Sequence, residues 1–103
     1  MQRKRQCLAY ALAVAAVMTA SVALAAGDAA AGRDKATACS TCHGIDGNGR
    51  VPLAGKDLAY LLKQMKAFKD GERNNPIMRR IMDELTDQDL ADLAAYFAAR
   101  KPR

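Results

Sequence analysis

The chain has 103 residues, half of them hydrophobic but only 5% aromatic, and 16 Lys and Arg against 11 Asp and Glu give a formal net charge of +5. A chain of this length holds one small domain, too small to bury a large core without a staple such as a metal, disulfides or a bound group. Its basic residues are interleaved with acidic ones and form no zinc-finger pattern or basic helix, so the charge gives no basis for nucleic-acid binding.

The N-terminus reads as a leader. Arg3, Lys4 and Arg5 form a basic start, an apolar run extends from Cys7 to Ala26 broken only by Thr19 and Ser21, and Ala23-Leu24-Ala25 is an A-x-A cleavage pattern. The run is close to spanning length, so an uncleaved membrane anchor is the competing physical reading. The small residues ahead of Ala26 and the polar switch at Asp28 favour cleavage after Ala25. The expected organisation is a signal peptide over 1–25 and one exported, periplasmic domain over 26–103, with no membrane insertion after cleavage. The three basic residues leave with the leader, taking the formal charge from +5 to +2, and Cys7 leaves as well.

From Asp28 to about Ala38 the sequence is Ala-rich and free of Pro, which predicts a helix with Asp28 as its N-cap. It runs into Cys39-Ser40-Thr41-Cys42-His43, a C-x-x-C-H run and the attachment pattern of a c-type haem. The two thiols can add to the two vinyl groups of one porphyrin, and one turn of backbone presents both sulfurs to one edge of the ring. His43 then supplies an axial nitrogen to the iron. Three other readings compete. A disulfide is the bland alternative in an exported protein. A thioredoxin-like pair wants a βαβ pattern that is missing here. Zinc wants four ligands, and His43 is the only histidine. A covalent haem also supplies the staple, and its propionates offset the remaining positive charge.

Gly44, Gly47, Gly49, Pro52 and Gly55, with Asp46 and Asn48 among them, predict a loop. Asp57 to Lys69 returns to helical period: Leu58, Leu61, Leu62, Met65 and Phe68 form one apolar stripe, with Lys63, Lys66 and Lys69 on the opposite, solvated side. Asp70-Gly71 ends that helix. Glu72 to Pro76 is a polar turn, and Ile77 to Leu85 predicts a short helix. Thr86-Asp87-Gln88-Asp89 opens the last helix as a capping-box-like start, Leu90, Leu93, Ala94 and Phe97 are its apolar stripe, and Pro102 stops it. The fold class is all-α, three main helices with loops wrapped around one covalent haem.

With a single histidine, bis-histidine ligation within the chain is excluded. The remaining strong sixth ligand is a methionine thioether, which gives a comparatively high reduction potential. Outside the leader these are Met65, Met78 and Met82. Met65 sits on the apolar stripe and reads as core. Met78 follows the Asn74-Asn75-Pro76 turn, where backbone can approach the iron. Met82 looks more like packing, although on position alone both stay candidates.

Residues 26–103 resemble the class I c-type cytochromes, in particular small bacterial monohaem proteins and the single-haem halves of bacterial dihaem cytochromes. The likeness is carried by Ala26-Gly27-Asp28, Gly32, Cys39 to His43 with Gly44-Ile45-Asp46-Gly47-Asn48-Gly49, Leu53-Ala54-Gly55, Tyr60 to Met65, Phe68 to Asn74, Leu85 to Asp89 and Leu93 to Phe97. In that family the axial Met lies eight residues before the Ser or Thr that caps the last helix, which is Met78 ahead of Thr86. The resemblance thus implies haem c with its iron, thioethers to Cys39 and Cys42, and axial ligands His43 and Met78. It also implies a second-shell carbonyl for His43. The family places a Pro two residues before the Leu of Leu-Ala-Gly, but here Pro52 immediately precedes Leu53, so either Pro52 or Val51 takes that role. The first and last helices are expected to cross with Gly32 against Tyr96 or Phe97.

Two filled axial positions leave no open site for a substrate, which argues for one-electron transfer and against enzyme chemistry. The expected function is a periplasmic electron carrier shuttling between a redox donor and acceptor of a respiratory chain. It would dock transiently through a haem edge and be monomeric or at most a weak dimer. Lys56, Lys63, Lys66, Arg79 and Arg80 are candidates for steering an acidic partner. The alternatives are a dedicated haem subunit of a larger dehydrogenase and a haem-based ligand sensor in which Met78 dissociates.

Overall fold

The computed structural model describes residues 26–103, so the expected signal peptide lies outside the described residues. These residues form an all-helical domain. Its helices are α1 (Ala29–Lys35), α2 (Ser40–His43), α3 (Leu58–Asp70), α4 (Pro76–Asp83) and α5 (Asp87–Ala98), with a 3-10 turn at Ala36–Cys39.

The first helix is shorter than its sequence predicts. Asp28 caps it as expected, its carboxylate accepting from Ala30 N at 2.9 Å. After Lys35 the backbone tightens into the 3-10 turn and then resumes as α2. Here Ser40 interferes: its hydroxyl donates to the Thr37 carbonyl at 2.8 Å, and its amide bonds the same oxygen. Gly44, at φ 74°, stops α2 immediately after His43.

The loop that follows folds back on α2. Gly49 N donates to His43 O at 2.7 Å and Val51 N to Cys42 O at 3.0 Å. Gly47, at φ 78°, makes the bend, and a side chain there would meet Ala54 N and the Phe97 ring. Helix α3 is capped by Asp57, whose carboxylate accepts from Tyr60 N at 3.0 Å, and ends in left-handed Gly71. Helix α4 begins with Pro76, where the missing N–H costs nothing, behind an Asn75 cap that accepts from the Ile77 and Met78 amides. The capping box of α5 forms as its sequence predicts, between Thr86 and Asp89.

Two departures concern α3. Leu58 is 46% exposed, so the buried stripe begins at Leu61. Lys69 is not on a solvated side: its ammonium donates to the Leu85 carbonyl and ties α3 to the turn before α5. Lys66 is also half-buried.

The core is Ala36, Leu61, Leu93, Ala94, Tyr96 and Phe97. Helices α1 and α5 meet backbone to backbone. A Cβ on Gly32 would overlap the Asp92 main chain and stand 2.8 Å from Tyr96 Cβ, so the expected crossing is made against Tyr96. Tyr96 packs edge-on to Phe97 with centroids 5.1 Å apart, and its hydroxyl donates to the Ile45 carbonyl. Beside the crossing lies Asp92, only 3% exposed. Its carboxylate accepts from Asp28 N at 2.8 Å, Lys35 Nζ at 2.5 Å and Gln88 Nε2 at 3.0 Å. Lys35 also pairs with Asp89 at 2.7 Å. The backbone bond from Asp28, then Lys35 and Gln88, holds the Asp92 carboxyl at about 2, well below its usual range.

Candidate functional site

Between α2 and its loop on one side and α3 and α4 on the other lies a cavity of about 480 Å³. Its first wall holds Cys39, Cys42, His43, Val51, Pro52 and Leu53. Its second wall is a row along α3, Tyr60, Leu61, Gln64, Met65 and Phe68, together with Met78 and Met82 of α4. Leu93, Ala94 and Phe97 of α5 close the floor. The C-x-x-C-H residues Cys39, Cys42 and His43 and all three methionines of the described residues therefore border one space, although they come from elements far apart in sequence.

Cys39 and Cys42 are free and half-buried, Cys39 closing the 3-10 turn and Cys42 lying three residues on in α2. Burial pushes the Cys39 thiol above its ordinary range, as an apolar wall should. His43 is oriented by its second nitrogen: Nδ1 lies 2.7 Å from Val51 O. A carbonyl only accepts, so Nδ1 carries the proton and Nε2 keeps its lone pair for a metal. The choice left open between Val51 and Pro52 is thus made for Val51. The reason is local: the Val51 amide is fixed on Cys42 O, and Val51 precedes a proline, which favours extended backbone.

Met78 is half-buried in the first turn of α4, beside the amides that Asn75 caps. Met82 is 1% exposed and among the largest fully buried side chains. Met65 is half-buried on α3. Asn75 and Arg73 also line the cavity, and neither was singled out from the sequence. Asn-Pro ahead of an apolar segment was the available signal for the cap. For Arg73 there was none, because a basic residue after a helix-ending glycine reads as solvated.

An apolar cavity with two thiols at one end, an imidazole nitrogen free to bind a metal and thioethers on the second wall fits a flat, iron-bearing cofactor bonded through sulfur. A family model described as Cytochrome c matches residues 29–100, and the chain belongs to the cytochrome c family. Cytochrome c4 of Pseudomonas aeruginosa is 55% identical over 84 residues, covering 78% of this chain and 42% of that protein. Cytochrome c-554(548) of Halomonas halodenitrificans is 43% identical over 83 residues, covering 74% of this chain and 100% of that protein. The crystal structure of reduced recombinant cytochrome c4 from Pseudomonas stutzeri superposes with a TM-score of 0.71 at 42% identity, over 76% of this chain and 48% of that one. The chain spans less than half the length of these cytochrome c4 relatives, dihaem class I cytochromes, and resembles one half of them. Family membership brings covalent haem c with its iron, and Cys39 and Cys42 fit the C-x-x-C-H motif.

Proposed function

We propose that this chain is a one-electron carrier and not an enzyme, with haem c held through Cys39 and Cys42 and its iron ligated by His43 and Met78. The observation that carries the reading is the His43–Val51 bond, which leaves Nε2 unprotonated on an imidazole that borders a cavity whose second wall bears thioethers. When bound, haem c supplies an Fe(II)/Fe(III) couple whose potential a thioether raises. The protein's part is to fix both ligands and exclude water. Val51 O holds the imidazole, and the Asn75 cap fixes the backbone of Met78. Met82 is assigned to packing because it is wholly buried. We further assign residues 1–25 to a cleaved signal peptide and 26–103 to a periplasmic domain.

Partners dock at the cavity mouth, where Val51, Tyr60 and Ile77 expose apolar surface beside Lys56. Such a small apolar rim suits a transient redox partner. Lys56 and Lys63 are the better steering candidates, since Arg79 is drawn toward Asp83 at 3.6 Å. The test is the absorption spectrum of exported holoprotein. Met78→Ala is expected to keep haem attached, lose the weak long-wavelength sulfur-to-iron band and bind CO, while Met82→Ala keeps the band. A band that survives in Met78→Ala and vanishes in Met82→Ala overturns the ligand assignment.

A further inference from the structure

The bonds that aim the His43 imidazole are local, but the loop that carries them is also gripped from outside. At its near end the Tyr96 hydroxyl holds the Ile45 carbonyl. Further along, residues 46–48 are bound by the segment that follows α5. Asn48 is the central contact. Its Nδ2 donates to the Lys101 carbonyl at 3.0 Å, and its Oδ1 accepts from the Arg103 amide at 2.9 Å. One half-buried side-chain amide thus grips main chain on both sides of Pro102, as a strand rung would. The Asn48 amide donates to Asp46 Oδ1 at 3.0 Å, and the other oxygen of that carboxylate pairs with the Arg103 guanidinium.

The segment on which Asn48 pulls is itself seated. The Arg100 and Gly55 amides both donate to the Phe97 carbonyl, at 3.1 and 3.0 Å. A side chain on Gly55 would run into the Pro102 ring, so the two main chains lie close together. The Arg100 guanidinium rests over the Tyr96 ring, with Cζ 4.7 Å from its centroid. In the loop, Asn48 stands directly before Gly49, whose amide bonds His43 O, and shortly before Val51, whose carbonyl bonds His43 Nδ1. Lifting the loop at Asn48 would draw first Gly49 and then Val51 away from these partners. An imidazole that donates from its far nitrogen is more basic and a stronger ligand.

We propose that Asn48 is a positioning residue for His43: by pinning the loop to Lys101 and Arg103 it keeps the Val51 carbonyl on Nδ1 and so sets how strongly the imidazole binds the iron. This rests on the haem reading above. The experiment follows, by proton NMR of reduced holoprotein, the exchange of the His43 Nδ1 proton and of the Arg103 amide into heavy water, and then measures the reduction potential. Wild type is compared with Asn48→Ala, Asn48→Gln and Gln88→Ala, none of which changes the net charge. Gln88→Ala removes a donor to Asp92 at the α1–α5 crossing, away from the loop.

Asn48→Ala is expected to speed exchange of the Nδ1 proton about tenfold, the protection that one or two net hydrogen bonds confer. Its potential should rise, because a less basic imidazole favours ferrous iron. The expected rise is about threefold in the ferrous-to-ferric ratio, or about 30 mV at 59 mV per tenfold for one electron. Asn48→Gln carries the same amide one methylene further out. It should show smaller changes of the same sign, and it carries the test if the Ala variant does not fold. Gln88→Ala should match wild type in both readouts. Asn48 variants that speed exchange at Arg103 alone, with the Nδ1 proton and the potential at wild-type values, would show a clip for the segment after α5 and overturn the proposal. An equal response in Gln88→Ala overturns it as well, and both outcomes leave the haem reading intact. A wild type without covalent haem takes down both.

Discussion

The α1–α5 crossing and the wall made by α3 and α4 are stabilised on opposite terms. At the crossing, Gly32 lets main chain meet main chain, and the one buried carboxylate has every partner it needs within the polypeptide. Along the wall, Met65, Phe68 and Met78 border a space that the polypeptide leaves for another molecule. Apolar side chains facing such a space gain contacts only when it is filled. The crossing is therefore a property of the chain alone, and the wall is a property of chain and cofactor together.

The strongest way to break that contrast is to remove the sulfurs. Cys39→Ala with Cys42→Ala is expected to abolish covalent haem, read as loss of haem on a denaturing gel. It should also loosen the wall, read as lowered thermal stability and helical content. A double variant as stable as wild type would mean that the wall packs by itself.

The next effect lies at the crossing. Asp92→Ala leaves the Asp28 amide without its acceptor and Lys35 with Asp89 alone, and should cost about 1–2 kcal/mol in denaturant unfolding, while haem stays attached. Acid sharpens the same point. The folded Asp92 carboxyl titrates at about 2 against an ordinary 3.8. A depressed folded value means that its contribution is complete above the ordinary value and fades as pH falls through about 2. Asp89, also lowered by Lys35, adds to the same acid loss. Asp92→Asn should therefore show a shallower fall in stability over that interval, and an acid profile identical to wild type would remove Asp92 from the account. The smallest effect expected is Tyr96→Phe, which frees the Ile45 carbonyl and should cost about 1 kcal/mol in the same unfolding assay.

Most of the wall was legible in the sequence; of the crossing, Gly32 and its aromatic partner were expected from the family resemblance, but the polar cluster around Asp92 was not. C-x-x-C-H is a contiguous run, and the stripe from Leu61 to Phe68 repeats at helical period, so local reading finds both. The Thr86–Asp89 capping box and the Asp70-Gly71 stop are equally local. Asp92 gave no signal, because an acidic residue in the middle of a helix normally faces water. Only the approach of α1, permitted by Gly32, brings Lys35 and the Asp28 amide to it. Lys69 was misread for the same reason: its partner, the Leu85 carbonyl, lies on another element. The end of α1 was overrun because a Ser that bonds back to Thr37 is ordinary in composition and decisive in geometry.

The loop behind His43 has a consequence for folding order. The bonds Gly49 N to His43 O, Val51 N to Cys42 O and His43 Nδ1 to Val51 O all join residues within the short span from Cys42 to Val51. Rings of about ten residues close in tens of nanoseconds, long before distant helices find each other. The direction of the imidazole is thus set by nearest neighbours along the chain, whereas the methionine wall needs distant segments to assemble. Substitutions on α3 and α4 can retune what meets the far side of the cofactor and leave the imidazole pointing where it was.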